Sequence, residues 1–227
     1  MSNIAVETVR TFDTRTEAKV PLESPLAYAY RRSGAPTPTA RSRVTLRERP
    51  FLGHLILRGG AIVLDEAVRE VLGVSLPGEP QGLVHDAEAE RSVQWLSPDE
   101  WLVIVPGGEE FELENRLREA LTGAHFAISN ASGGQTLVEL EGEAARELLM
   151  KSVIYDVHPG HFPVGKGVTT VFAKTTVILR RPSETRWELV VRRSFADYTY
   201  RWLLDAGEEY GIGVARSPRP AASGDNP

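Results

Sequence analysis

Apolar residues recur along most of the chain in two patterns, one that alternates and one that returns every three to four positions. Residues 54–74, HLILRGGAIVLDEAVREVLGV, show both patterns in turn, separated by a pair of glycines. Alternation predicts a β-strand, and the longer period predicts an amphipathic helix. The predicted inner face of this helix consists of Leu64, Ala67, Val68, Val71 and Leu72.

The same succession returns in residues 136–153, TLVELEGEAARELLMKSV. An alternating run is again followed by a glycine and a helical pattern, so Gly142 corresponds to Gly60 of the first unit. We interpret the two segments as an internal duplication. The predicted inner face of the second helix consists of Ala145, Leu148 and Leu149.

Each unit continues with two strand-like runs around a proline-bearing turn. Residues 91–105, RSVQWLSPDEWLVIV, correspond to residues 176–191, TVILRRPSETRWELVV, and Trp101 corresponds to Trp187. Two tryptophans near a turn are compatible with a ligand platform or with a buried core. Because the tryptophan recurs at the same step of both units, the sequence favours the core.

A helical pattern follows each hairpin. The first helix is predicted over about residues 110–121 and the second over about residues 195–206. The predicted inward residues are Leu113, Leu117, Ala120 and Leu121 in the first helix, and Phe195, Tyr198, Trp202, Leu203 and Ala206 in the second.

The duplicated strand-helix-hairpin-helix order predicts an α+β fold with antiparallel sheet and helices on one face. The predicted organisation is an extended N-terminal arm over residues 1–50, a first unit over 51–131, a second over 132–214 and a disordered tail over 215–227.

Composition narrows the class of protein further. With 41% hydrophobic residues in 227, the chain can fill a core, and its net charge of -5 gives no general attraction to nucleic acid or anionic lipid. The absence of cysteine excludes disulfides and thiolate chemistry. No run approaches the roughly 20 apolar residues of a membrane span, so we expect no membrane association and a cytoplasmic location.

The predicted arm carries a local excess of positive charge. Residues 31–49 contain six arginines and one acid, Glu48, and Pro36 and Pro38 favour an extended chain. The segment is compatible with a solvated tail or with an arm ordered by an acidic partner chain. The candidate partner-interface residues are Arg31, Arg32, Arg41, Arg43, Arg47 and Arg49.

Residues 160–167, GHFPVGKG, match most of a phosphate-binding loop. The final Ser or Thr is replaced by Gly167, Pro163 lacks a backbone donor, and strand-like sequence follows where a helix is required. His158 and His161, with Asp156, have a spacing that could hold a metal, but a fourth ligand is missing. We therefore predict neither a nucleotide site nor a metal site here.

Ser194 lies in no nucleophile motif, and Arg192 and Arg193 before it are compatible with an anion site or with a helix start that Ser194 caps. We favour the helix start. The residues therefore predict no catalytic, cofactor-binding or metal-binding site in this chain.

Several local sequences together resemble the gamma subunits of heterotetrameric sarcosine oxidase. They are ERPFLGHLILRGGA (48–61), WLSPDEWLVIVPGG (95–108), DVHPGHFPVG (156–165), VRRSFADY (191–198) and WLLDAGEEYG (202–211). The family-motif residues are Trp95, Pro98, Trp101, His158, Pro159, Phe162, Pro163, Gly165, Arg193 and Ser194.

This resemblance implies a non-catalytic subunit of a bacterial flavoenzyme complex that oxidises sarcosine to glycine, with hydrogen peroxide and either formaldehyde or methylene-tetrahydrofolate as products. It implies alpha, beta and delta subunits as partners. FAD, FMN, NAD and zinc would belong to those partners, with no cofactor in this chain. The implied fold is related to the folate-binding fold of aminomethyltransferases.

That kinship leaves an alternative, a folate- or small-molecule-binding protein of the aminomethyltransferase type. Residues 128–136, ISNASGGQT, bear on it, because Asn130 stands where the resemblance leads us to expect an aspartate. A neutral amide cannot act as a base or pair with a protonated pterin as a carboxylate does. The substitution therefore disfavours folate binding.

Overall fold

The computed structural model describes residues 22–33 and 35–216. The predicted tail beyond residue 216 and the first 21 residues of the predicted arm lie outside these ranges. The helices of the described residues are α1 (Ala27–Ser33), α2 (Ala61–Leu72), α3 (Glu110–Ala120), α4 (Ala145–Met150) and α5 (Ala196–Gly207). The strands are β1 (Thr45–Arg49), β2 (Gly53–Gly59), β3 (Leu83–Asp86), β4 (Arg91–Ser97), β5 (Glu100–Val105), β6 (Phe126–Asn130), β7 (Gln135–Glu141), β8 (Lys166–Phe172), β9 (Thr175–Arg181), β10 (Arg186–Arg192) and β11 (Gly213–Ala215).

These strands form two sheets with corresponding orders. The smaller sheet has the order β3-β4-β5-β2-β6, and the larger has β8-β9-β10-β7-β1-β11. Strands that correspond to each other in the predicted duplication occupy the same places in the two sheets. The duplicated α+β fold is therefore confirmed. The pairs are antiparallel apart from β1 with β11, which is parallel.

The two sheets pack face to face, with the helices on their outer faces. Alternate residues of each central strand point in opposite directions. Leu102 and Ile104 of β5 meet Leu137 of β7 and Val190 of β10 between the sheets. The opposite faces form two separate apolar clusters, one under α2 and α3 and one under α1, α4 and α5.

The repeat extends to single positions. Trp101 lies opposite Leu57 in the smaller sheet, and Trp187 lies opposite Leu140 in the larger. Gly59 and Gly142 each follow these leucines by two residues and have φ values of 156° and 130°. The match of Gly142 to Gly60 is therefore wrong by one residue, because the shared backbone conformation is at Gly59.

Helix α2 confirms its predicted inner face at every position, and α4 does the same. Leu113 and Leu117 of α3 and the next residue after the helix, Leu121, are buried as predicted, whereas Ala120 is exposed. The prediction for α5 is confirmed in part, because Leu203 is buried and Trp202 and Ala206 pack against the core, whereas Tyr198 is only half-buried and Phe195 is exposed. Its buried residues are Ala196, Thr199, Tyr200, Leu203 and Gly207.

The end of the predicted arm is a strand of the larger sheet, so the prediction of an extended arm up to residue 50 is wrong for β1. This strand pairs with β7 and β11. It buries Leu46 and Glu48, and the buried acid hides the strand pattern in the sequence. The Glu48 carboxylate accepts hydrogen bonds from Ser24 Oγ at 2.8 Å and from Thr136 Oγ1 at 3.0 Å. Glu48 thereby attaches the chain before α1 to the sheet.

Candidate functional site

The hairpin of β4 and β5 is part of the core. Trp101 is 2% exposed and lies in the apolar cluster under α2 and α3. Trp95 is opposite it in the strand register and is half-buried. Pro98 is exposed at the turn, where Asp99 pairs with Arg58 at 3.0 Å. The core prediction is confirmed for Trp101, and also for Trp187, which is 2% exposed.

The loop over residues 156–165 packs against the apolar cluster under α1, α4 and α5. Phe162 is fully buried, and its ring centroid lies 5.0 Å from that of Trp187. Arg181 Nη1 donates a hydrogen bond to the Phe162 carbonyl at 2.8 Å. Gly165 has a φ of 81°, a conformation that favours glycine. The family-motif residues of this loop therefore include one core residue, Phe162.

Five polar or proline side chains of this loop point toward solvent, and none of them forms a metal cage. The exposed residues are Asp156, His158, Pro159, His161 and Pro163. His161 Nε2 lies 3.8 Å from Asp156 Oδ2, and the backbone N–H of His158 donates to Asp156 Oδ1 at 2.9 Å. No group of three or more acidic or histidine side chains within the described residues could hold a metal ion.

The segment that resembles a phosphate loop leads into a strand, as the sequence predicts. Lys166 begins β8, and its Nζ donates to the carbonyl of His161 at 2.8 Å. A Cβ atom at Gly167 would lie 1.9 Å from Gln94 Oε1. Gln94 Nε2 donates to the Gly167 carbonyl at 3.0 Å, which joins β4 to β8. The close contact between the two sheets therefore explains why position 167 is a glycine.

A buried charge pair lies between the sheets and was missed by the sequence analysis. Arg180 and Glu188 are 1% and 2% exposed and lie directly opposite each other in β9 and β10. Arg180 Nε donates to Glu188 Oε2 at 2.9 Å. Burial opposes ionisation of Glu188, but the Arg180 guanidinium outweighs it and keeps the pKa of that carboxyl below its ordinary value. The sequence contains one indication of this pair, because Arg180 and Glu188 have opposite charges and lie on the two strands of a predicted hairpin.

His54 of β2 lies near this pair and is 1% exposed. Its Nδ1 lies 3.0 Å from the Leu52 carbonyl, so Nδ1 carries the proton and donates. Burial lowers the pKa of His54 from 6.5 to about 4; the hydrogen bond to the Leu52 carbonyl opposes this shift, and the positive charge of Arg180 adds to it. The neutral imidazole is therefore the form that the folded chain holds near neutral pH.

This burial predicts a loss of stability in mild acid. The unfolded chain protonates His54 first as the pH falls below 6.5, so the stability present above that pH is lost as the pH falls toward about 4. Lowering the pH from about 7 to about 5 should cost about 2 kcal/mol of unfolding free energy through this residue. Urea denaturation at both values should show a smaller loss for His54→Phe.

The matched control is His125→Gln, which changes an exposed histidine and should keep the pH dependence of the unmodified chain. An equal loss of stability in the His54→Phe variant and the unmodified chain would contradict the assignment to His54.

Four of the six arginines of the predicted arm form ion pairs with acids of this chain. Arg43 pairs with Glu143 at 2.6 Å, and Arg31 pairs with Glu23 at 2.6 Å. The remaining ion pairs of this group join Arg49 to Glu90 at 2.8 Å and to Glu139 at 3.2 Å, and Arg47 to Glu139 at 3.8 Å. Arg32 and Arg41 are exposed. The folded chain therefore neutralises much of this charge itself.

Arg193 and Ser194 are exposed at the junction of β10 and α5. They belong to a short 3-10 turn, Arg193–Phe195, and α5 begins at Ala196 without a side-chain cap. The prediction that Ser194 caps the helix is therefore wrong, because the 3-10 turn intervenes. Both residues line an open concavity.

Asn130 ends β6 and holds the turn that leads to β7. Its Oδ1 accepts from the backbone N–H of Ser132 at 3.0 Å, and its Nδ2 lies 3.4 Å from Glu114 Oε2. These contacts give the amide a local structural role.

The described part of the chain contains no helix long and apolar enough to cross a membrane.

The paired sheets with outer helices define the class of fold, which is that of the aminomethyltransferases. The glycine cleavage system aminomethyltransferase T of Bartonella henselae superposes with a TM-score of 0.60 at 12% identity, over 84% of this chain and 58% of that one. The family model described as sarcosine oxidase, gamma subunit family, matches residues 59–209. The chain belongs to this family.

Individual relatives agree with this assignment. The sarcosine oxidase subunit gamma of Corynebacterium sp. strain P-1 is 37% identical over 74% of this chain and 81% of its own length. That of Corynebacterium sp. strain U-96 is 32% identical over 87% of this chain and 96% of its own length. A chain of the heterotetrameric sarcosine oxidase from Corynebacterium sp. U-96, solved with pyrrole 2-carboxylate, superposes with a TM-score of 0.73 at 33% identity, over 84% and 96% of the two chains.

Proposed function

We propose that this chain is a non-catalytic subunit of a heterotetrameric sarcosine oxidase and supports assembly of that complex. The observation that carries the proposal is the likeness, over 84% of this chain, to a chain of the heterotetrameric enzyme from Corynebacterium sp. U-96. The complex would convert sarcosine to glycine, with hydrogen peroxide and either formaldehyde or methylene-tetrahydrofolate as products. We place it in cytoplasmic one-carbon metabolism.

The partners in this proposal are the alpha, beta and delta subunits. They would hold FAD, FMN, NAD and zinc, so the complex is a flavoprotein while this chain binds no cofactor. The local structure supports this division, because the candidate motifs have structural roles. Phe162 fills the core, Gly167 makes room for Gln94, and Asn130 holds a turn. We propose no contact with nucleic acid or a membrane.

Co-expression with the three partner subunits tests the proposal. We expect an affinity tag on this chain to recover all partners together with sarcosine oxidase activity. The same chain expressed alone should fold but show no flavin absorption, no bound NAD and no zinc by elemental analysis, because the proposal assigns these groups to the partners. Stoichiometric cofactor in the isolated chain would contradict its non-catalytic role, and recovery without partners would contradict its role in assembly.

A further inference from the structure

An open concavity lies at one end of the two facing sheets. Half of its lining comes from the connection between β6 and β7 and from the first residue of β7, and half from the end of β10 and the turn that follows. The lining residues are Ala131, Gly134, Gln135, Arg192, Arg193 and Ser194. We refer to this set as the β10 arginine surface. It lies where the chain passes from the first unit to the second.

The backbone fixes the two arginines of this surface. Arg192 is directly opposite Gln135 in the pairing of β10 with β7. Alternate residues of β10 point to the same face of the sheet. Glu188 and Val190 point into the space between the two sheets. Arg192, two residues after Val190, is on the same face and lies at the edge of this space. The backbone N–H of Arg193 donates to the Gly134 carbonyl at 2.9 Å. The backbone of both arginines is therefore held in place at the end of β10.

The charge of this surface is balanced only in part by its surroundings, because Glu23 and Glu48 interact electrostatically with Arg193. Its lining contains two arginines and no carboxylate. Arg193 Nη2 donates to the backbone carbonyl of Glu23 at 3.3 Å. Within the described residues neither Arg192 nor Arg193 lies within ion-pair distance of a carboxylate, and two nearby acids have closer partners of opposite charge. The pairs concerned are Glu23 with Arg31 at 2.6 Å and Asp197 with Arg201 at 3.0 Å.

Two further features suit a protein ligand. Gln135 also lines the concavity and places a polar amide side chain beside the two arginines. Phe195, the next residue after Ser194, is an exposed aromatic side chain. Arginine and aromatic residues are enriched at protein interfaces. The concavity is open, whereas sites for small ligands bury most of the ligand surface.

We propose that the β10 arginine surface docks a carboxylate-bearing segment of a partner subunit. This proposal rests on the proposed function, since it requires the complex to form. The two guanidinium groups would bind Asp or Glu side chains of the partner through paired N–H donors. This surface would carry the partner contact in place of the predicted arm, because four of the arm's arginines pair within the chain.

The test compares charge-reversal variants in binding to the assembled partner subunits. Arg192→Glu with Arg193→Glu should raise the dissociation constant by about tenfold or more, because cations would be replaced by charges that repel the partner. Arg116→Glu is the control, since Arg116 is exposed on α3 of the other unit. Arg32→Glu with Arg41→Glu tests the arm. Melting temperatures of all variants should match that of the unmodified chain.

The outcomes separate the two proposals. An unmodified chain that does not bind the partner subunits would contradict the proposed function. Normal binding by the unmodified chain and by the Arg192→Glu, Arg193→Glu variant would overturn the docking proposal alone. Loss of binding in the arm variant, with none in the β10 variant, would likewise overturn it. Added salt should weaken the unmodified complex more than the β10 variant complex if docking is electrostatic.

A small carboxylate is the competing occupant. Calorimetry of the isolated chain with sarcosine as probe should show no binding. Saturable binding that Arg192→Glu with Arg193→Glu abolishes would assign the surface to a small molecule and overturn docking.

Discussion

Replacement of Trp101 or Trp187 by alanine should lower the free energy of unfolding by about 3 to 5 kcal/mol in each case. Both side chains are 2% exposed, and each lies between a sheet and its outer helices. Trp187 also packs against Phe162 and lies 5.2 Å from the Arg181 guanidinium. Removal of either indole would leave a cavity that the strands cannot close. Denaturation in guanidinium chloride measures the loss.

Trp95→Ala is the matched control, because Trp95 is half-buried on the same hairpin. Its replacement should cost less than that of Trp101. If Trp101→Ala or Trp187→Ala kept the stability of the unmodified chain and lost affinity for a ligand or partner, the tryptophans would be a binding platform and not core residues.

The apolar helices could be predicted from the sequence because their periodicity is strong. Every residue predicted to face inward in α2 is buried. The corresponding prediction is right only in part for α5, where it missed the buried Tyr200 and Thr199 and included the exposed Phe195. Aromatic and polar residues share both faces of this helix, so its hydrophobic pattern does not fix the rotation.

The strand β1 shows a second limit of sequence patterns. Of the two residues it buries, Leu46 is apolar and Glu48 is an acid. The Glu48 carboxylate is hydrogen-bonded by Ser24, Leu26 and Thr136, which are distant in sequence. A pattern method counts such an acid as solvent-exposed, because its partners become visible only in the fold.

The candidate interface could be predicted only in part for a related reason. The arginine excess of residues 31–49 is visible in the sequence, but the acids that pair with it, among them Glu139 and Glu143, lie in the second unit. Arg192 and Arg193 were noted as possible anion ligands. Their position beside the β6–β7 connection depends on the strand pairing, which places Gln135 opposite Arg192.

Glu188→Ala should destabilise the chain by about 3 to 5 kcal/mol, because it leaves the Arg180 guanidinium buried without a counter-charge. Burial raises the pKa of Glu188, but Arg180, together with Arg186 at 3.7 Å, holds it below the ordinary value. The stability from this pair is therefore present above the unfolded-state pKa and is lost as the pH falls through the folded-state pKa. Denaturation near neutral pH measures the full effect.

The double variant Arg180→Met with Glu188→Leu distinguishes an essential ion pair from a costly one. It removes both charges and keeps apolar volume between the sheets, so we expect stability within about 1 kcal/mol of the unmodified chain or above it. Asp197→Ala is the control, since its pair with Arg201 is about half exposed and should contribute at most about 1 kcal/mol. If Glu188→Ala cost no more than Asp197→Ala, Arg180 would have another source of compensation between the sheets. A double variant as unstable as Glu188→Ala would instead show that the charges themselves hold the two sheets together.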